Sequence, residues 1–303
     1  MTKAAPAVLL FAPANDRHAD VVESALRRRG VTSARADFSV VTVPVTIDPG
    51  NYVTFNGTTV EPDVSIWWRR TGFVPDLPEL DEQENVLRRE ESEALLLGGL
   101  LALTDRWVDS PYVVMNAEHT LVQLATARSL GLPVPRSFAT NDPAQAGTLC
   151  DGAGRWIAKA TSAGIGIAPY ADLVDRSIFD LLPRCMTLLQ EAQVADADLR
   201  VVVAGDRVMT WTRPRRPGDP VDWRAADPSG LGFVRRDVVE VTSAAVKICR
   251  RLGLRFSVQD WLFTEGGLIF LEVNPSGQWL FLRGADAEVA DALAEELTRT
   301  PGV

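Results

Sequence analysis

Asp260, Glu272 and Asn274 have the residue types and the spacing to hold a hard divalent cation. They stand on two apolar runs, 255–264 and 268–273, joined by Glu265-Gly266-Gly267. Apolar runs flanking a short glycine-containing connector predict a β-hairpin. If Thr264 pairs with Leu268, counting back along both arms sets Asp260 opposite Glu272. Side chains alternate with period two, so Asn274 shares the face of Glu272. Carboxylates facing each other across strands repel. Mg²⁺, which takes one or two carboxylates together with phosphate oxygens, removes that conflict. The bland alternative is a solvated polar face with coincidental spacing, since acids are common at strand ends.

Other residues are candidates for the anionic partner of such a metal. Lys159 lies in Trp156-Ile157-Ala158-Lys159-Ala160, ahead of the small-residue stretch 161–166. An ammonium on an apolar strand followed by a glycine-containing loop can meet phosphate while backbone N–H groups approach the anion. It is equally an edge lysine before a turn. The run 188–194 ends in Gln190-Glu191-Ala192-Gln193-Val194. Its backbone can bond an adenine edge and leave an acid for ribose, or it is simply a strand meeting its loop. Asp198-Leu199-Arg200 puts an acid and a base on one strand face, as a surface ion pair of little worth or as an arginine aimed at phosphate. Arg213 and Arg224, in or beside a polar loop, are available to anions or belong to solvated surface.

The elements that must position these residues follow from pattern. The first third reads strand (7–11), amphipathic helix (17–29, ended by Gly30) and strands at 40–43 and 64–68. Helices are expected at 81–103 and 118–130, a strand at 137–140, and a turn at Asn141-Asp142-Pro143. Short strands follow at 155–160, 187–191, 199–204 and 207–211, with Gly205-Asp206 as a hairpin turn. A loop over 213–232, a helix over 237–252, the hairpin and a helix over 286–298 complete an α/β (α+β) chain. The chain has 303 residues, 46% of them hydrophobic and 23% charged, enough for a substantial core. A net charge of −9 argues against nucleic-acid binding. No apolar run approaches the roughly 20 residues that span a bilayer. Cys150, Cys185 and Cys249 form neither a metal-ligand spacing nor an even disulfide framework, which points to a reducing, cytoplasmic compartment. Lysine occurs only at positions 3, 159 and 247, so a lysine within an apolar strand stands out.

In order, strand lysine, glycine-containing loop, Gln-Glu, Asp-Leu-Arg, then Asp and Glu-x-Asn resemble the ATP-grasp superfamily. Within it the sequence is most similar to the graspetide (microviridin-type) ribosomal peptide macrocyclases. That narrower likeness rests on Trp67-Trp68-Arg69-Arg70, Trp107-Val108-Asp109-Ser110-Pro111, Gln123-Leu124, Thr140-Asn141-Asp142 and Gly131-Leu132-Pro133-Val134-Pro135. Val221-Asp222-Trp223-Arg224 and the string Phe270 to Trp279 also contribute. The resemblance implies an ATP-grasp fold with an N-terminal pre-ATP-grasp domain (1–115), a central subdomain (116–190) and a C-terminal antiparallel-sheet subdomain (191–303). It implies that ATP and Mg²⁺ activate an Asp or Glu side chain of a precursor peptide (leader plus acidic core). A Ser/Thr hydroxyl or Lys amine of that peptide then closes an ω-ester or ω-amide. Carried over, Asp260, Glu272 and Asn274 bind Mg²⁺, and Lys159, Arg200 and Arg213 meet phosphates. Gln190, Glu191 and Val194 hold the adenine, Asp198 contacts ribose, and Arg224 holds the acidic acceptor. A homodimer is common among such enzymes. Where relatives carry a basic residue at a helix start, this chain has Thr120.

Two other readings fit parts of the pattern. One is a ligase adding amino acids to a peptide or protein. The other is a non-catalytic peptide-binding relative. A nicotinamide enzyme lacks its glycine fingerprint after the first strand.

Overall fold

The computed structural model describes residues 5–150, 154–161 and 171–299. Most of the small-residue loop expected after Lys159 therefore lies outside the described residues. The chain divides into two compact units. The first is Met1–Val114, Leu254–Phe256 and Gly284–Val303; the second is Met115–Gly253 and Ser257–Arg283.

Unit 1 begins with β1 (Val8–Phe11), α1 (Arg17–Arg28) and β2 (Ser33–Ala36). All four residues of β1 are buried, as expected of a central strand in a parallel sheet covered on both faces. Asp16 caps α1 by accepting from the backbone N–H groups of His18 and Ala19, which are otherwise orphaned at a helix start. The antiparallel meander β3 (Val45–Asp48), β4 (Tyr52–Phe55) and β5 (Thr58–Val60) precedes β6 (Ser65–Trp68) and β7 (Trp107–Val108). The parallel sheet has the order β2-β1-β6-β7. The strand expected at 40–43 is instead part of a 3-10 turn, Phe38–Thr42. Asp37 accepts from the Ser39 N–H at 2.8 Å, a local bond that competes with extended pairing. α2 (Glu82–Leu103) starts at a reciprocal capping box between Asp81 and Glu84. The core beneath it joins Leu96, Leu100 and Leu103 to Phe11, Ile66 and Trp107, each such side chain contributing about 1.5–3 kcal/mol relative to exposure.

The helix expected at 118–130 is interrupted. α3 (Pro111–Glu118) ends, His119 leaves helical geometry, and α4 (Thr120–Ser129) begins. The break lets the Gln123 side chain donate to the Ala117 carbonyl at 2.6 Å, satisfying an oxygen at the end of α3.

Unit 2 holds two antiparallel sheets. The first comprises β8 (Ser137–Thr140), β9 (Trp156–Lys159), β10 (Ala171–Val174) and β11 (Thr187–Glu191), in the order β10-β9-β11-β8. One face packs Trp156 and Leu189 on Ala146, Phe179 and Leu182. Asp142 does more than turn the chain: its carboxylate caps α5 (Pro143–Leu149), with proline at the first helical position. The second sheet comprises β12 (Ala197–Ala204), β13 (Arg207–Pro214), β14 (Val234–Arg235), β15 (Phe256–Thr264) and β16 (Gly267–Asn274). Its order is β14-β13-β12-β15-β16. β13 runs three residues past the expected end, and the expected loop over 213–232 contains a short helix, α6 (Trp223–Ala226). α7 (Val239–Arg251) buries Val241, Ala245, Ile248 and Cys249, and the Gln259 side chain on β15 donates to the Ala245 carbonyl at 3.0 Å. α8 (Ala285–Thr298) returns the chain to unit 1.

Candidate active site

The hairpin sets Asp260 opposite Glu272, by a route the sequence did not reveal. Thr264 pairs with Gly267, not Leu268, because Gly267 adopts φ +103° and accepts from the Thr264 hydroxyl at 2.8 Å. That shifts the pairing by one residue. A β-bulge between Asp260 and Trp261 shifts it back: Trp261 faces Phe270, Leu271 is the extra residue, and Asp260 meets Glu272. Asn274, two residues on, donates to Glu272 Oε1 at 3.3 Å.

Gln123 holds this strand in place. Buried in α4, it accepts from the Val273 N–H at 2.9 Å and donates to the Val273 carbonyl at 2.8 Å. Its amide thus substitutes for a further strand at the edge of β16, between Glu272 and Asn274. Sequence pattern alone assigns Gln123 no such role. The available signal was a polar residue on the inward face of a helix.

Three cations converge on the carboxylates from separate elements. Lys159 Nζ on β9 lies 2.6 Å from Glu272 Oε2. Arg200 on β12 donates through one nitrogen to both Asp260 oxygens, at 2.6 and 2.7 Å, and through another to the Gln278 carbonyl at 2.9 Å. Arg224 on α6 stands 3.8 Å from Asp260 and 4.0 Å from Glu272, with its guanidinium over the Trp223 ring. The carboxylate repulsion expected from the sequence is therefore offset in part by the protein's own cations. Burial and the neighbouring Glu272 charge raise the Asp260 pKa, despite Arg200. Burial also pushes Glu272 up, but Lys159 and Arg224 outweigh it and hold that carboxyl well below its ordinary range. The pair shares one environment and divides in two directions, with Glu272 as the committed anion.

The remaining candidates lie apart from this cluster or are already engaged. Gln190 is buried, and its amide donates to the Ser137 hydroxyl at 2.9 Å. Glu191 ends β11, half-buried. Val194 is 92% exposed. Asp198 and Arg200 share a strand face but do not form the surface pair considered from the sequence. Both are buried, and Asp198 turns to Arg213 at 2.6 Å and Arg215 at 2.6 Å. Arg213 is likewise buried, not solvated. Thr120 is buried at the start of α4.

The donor set suits Mg²⁺: two opposed carboxylates and an amide oxygen are hard ligands. Among the described residues there is no group of three or more His, Cys, Asp or Glu that could hold a metal unaided. Water and an incoming anion would complete the coordination. The Nε of Arg200 supports such an anion, being buried without a hydrogen-bond partner among the described residues. Metal and phosphate together would let Lys159 and Arg200 exchange carboxylate oxygens for phosphate oxygens.

Two solved structures match this architecture along nearly its whole length. The macrocyclase MdnC of Microcystis aeruginosa MRC, bound with precursor peptide MdnA, superposes with TM-score 0.81 at 22% identity, covering 97% of this chain and 99% of its own. A Chryseobacterium gregarium RiPP-associated ATP-grasp ligase, in complex with ADP and a leader and core peptide, gives TM-score 0.82 at 17% identity, with 96% of each chain covered. The chain has the ATP-grasp fold. A further structure, that of the ATP-grasp ligase PsnB complexed with minimal precursor, Mg and ADP, gives TM-score 0.77 at 22% identity over 97% of this chain and 99% of its own. No family model matches the chain, and no curated protein does. Among the described residues no helix of this ATP-grasp chain is long and apolar enough to cross a membrane.

Proposed function

We propose that this chain is an ATP-dependent carboxylate ligase that closes rings in a ribosomally made precursor peptide. The observation that carries the reading is the convergence of Lys159, Arg200 and Arg224 on Asp260, Glu272 and Asn274, within an ATP-grasp fold. MdnC bound with its precursor peptide and PsnB bound with precursor, Mg and ADP support the same chemistry.

Asp260, Glu272 and Asn274 would hold Mg²⁺, which neutralises phosphate charge when bound. Lys159 and Arg200 bind phosphate oxygens, the latter through its buried Nε. Arg224, the most exposed of the three cations on an ion pair to the cluster's carboxylates, holds the peptide's Asp or Glu side chain. Glu191 and the adjoining backbone meet the nucleoside. A peptide carboxylate oxygen attacks the γ-phosphorus of ATP, and ADP leaves with the bonding electrons. A Ser, Thr or Lys side chain of the same peptide attacks the acyl phosphate carbon, phosphate departs, and the nucleophile's proton is lost to solvent. The peptide is lighter by one water per ring.

The test is to incubate the protein with Mg-ATP and the acidic peptide encoded beside its gene. Ring closure shows as successive losses of water with matching ADP release. A gain of one amino-acid residue would replace macrocyclisation with amino-acid addition. Absence of ADP release would leave a peptide-binding protein.

A further inference from the structure

The segment that carries Arg224 is bracketed by ion pairs radiating from one buried carboxylate. Asp198 Oδ2 accepts from Arg213 at 2.6 Å, and Asp198 Oδ1 accepts from Arg215 at 2.6 and 3.0 Å. Each oxygen thus has its own guanidinium. The two arginines then reach forward. Arg213 donates to Asp219 at 2.8 Å and lies 4.0 Å from Asp227, while Arg215 donates to the Val221 carbonyl at 2.9 Å. Asp219 and Val221 precede α6, and Asp227 follows it. The short helix is therefore held from both sides.

Local bonds complete each anchor. Asp219 accepts from the Arg216 N–H at 3.2 Å. Asp227 accepts from the Gly232 N–H at 2.8 Å and from the Ser229 hydroxyl at 2.9 Å. A Cβ at Gly232 would sit 2.9 Å from Asp227 Oδ2 and 3.4 Å from Arg213 Cγ, so a side chain there would crowd the anchor. A helix of four residues has too few internal hydrogen bonds to fix its own position. Trp223 packs on Phe233 and Phe281 and Asp222 accepts from the Arg224 guanidinium at 3.1 Å, and the ion pairs tie this segment to Asp198 on β12.

We infer that Asp198 is a positioning residue: through Arg213 and Arg215 it fixes the loop over 215–232 and so aims Arg224 at substrate. This role differs from the ribose contact expected of Asp198 by resemblance, and both oxygens are already taken. The inference rests on the Proposed function only where it takes Arg224 to face the peptide's carboxylate.

Asp198→Asn removes the charge that holds two guanidinium groups together. Amide hydrogen exchange over 215–232 is expected to rise about tenfold, with α7 unchanged. Affinity for Mg-ADP, measured by calorimetry, stays within about twofold, because no nucleotide contact is lost. The KM for the acidic peptide rises about fivefold or more, and this rise vanishes in an Arg224→Ala background. Arg215→Met, which cuts only one arm, gives the same exchange signature and guards against misfolding of the first variant. A tenfold loss of Mg-ADP affinity (about 1.4 kcal/mol) with unchanged loop exchange would overturn the inference and make Asp198 a nucleotide ligand. Additive effects of Asp198→Asn and Arg224→Ala would also overturn it. If the wild-type chain turns over no ATP, the Proposed function fails, and exchange and calorimetry still decide this point.

Discussion

Two buried carboxylate clusters in unit 2 use the same side chains and end in opposite conditions. Around Asp198 each carboxylate oxygen has its own arginine, and the arginines donate further to Asp219 and the Val221 carbonyl. That network is closed. Around Asp260 and Glu272, three cations from three elements serve two repelling acids, and Arg200 keeps a buried Nε with no acceptor among the described residues. That network is open. A buried polar atom left without a partner calls for an explanation, and a bound ion or ligand is one.

Glu272→Gln separates the two clusters most strongly. The open network should lose function without losing the fold: ADP release falls on the order of 10²–10³-fold or more, while the variant still folds cooperatively. An unaffected rate would remove the metal assignment. The closed network should respond in the reverse sense. Arg213→Met leaves the buried Asp198 short of one of its two partners, and denaturant titration should show a loss of about 1–3 kcal/mol. An unchanged midpoint would mean that the cluster does not hold the loop.

A third arrangement, in unit 1, replaces cations with backbone. Asp109 accepts from the Arg255 and Phe256 N–H groups at 2.7 and 3.1 Å. Burial pushes its carboxyl up to about 7, although those two bonds and the nearby Arg255 charge oppose the rise. A raised acid binds its proton more tightly folded than unfolded. Stability should therefore fall as pH climbs from about 4 to about 7, by at most about 4 kcal/mol, and level off above. Asp109→Asn should flatten that slope; a slope unchanged by the substitution would assign it elsewhere. Gln123→Leu is expected to cost about 1–3 kcal/mol by orphaning both backbone groups of Val273, and to weaken Mg-ADP binding. Normal Mg-ADP affinity in that variant would show that Glu272 and Asn274 need no brace. Smallest of all, Arg250→Ala breaks an exposed pair with Asp206 and should leave the melting temperature unchanged within error.

Much of the site was legible because strand alternation is strict. Asp260 opposite Glu272, and Asn274 beside it, follow from period two and a glycine turn. The bulge was not legible, since the two one-residue shifts cancel and leave the same endpoint. The partners of Asp198 were also hidden. Asp-Leu-Arg invites pairing within the strand, whereas residues two apart on one face look outward to different neighbours, Arg213 for one and Asp260 for the other. Elements with long apolar runs, such as β1, β15 and α8, were readable from pattern. The meander β3-β4-β5 was not, being short, mixed in polarity and dependent on pairing for its stability. The 3-10 turn at 38–42 carries valines that read as strand, and one aspartate reversed that preference.

Leu254–Phe256 belongs to unit 1 although residues on both sides belong to unit 2, and α8 adds the last helix of unit 1 after every strand of unit 2 is complete. This threading has a consequence for biosynthesis. As the chain is made from its N-terminus, α1 has to wait for α8, the helix on which it packs and to which Arg28 and Arg29 bind through Asp291. Both sheets of unit 2 have by then been synthesised. Neither unit can be released by a single cut. A nascent chain stopped at residue 283 should already present a protease-resistant unit 2 beside a unit 1 that is still open.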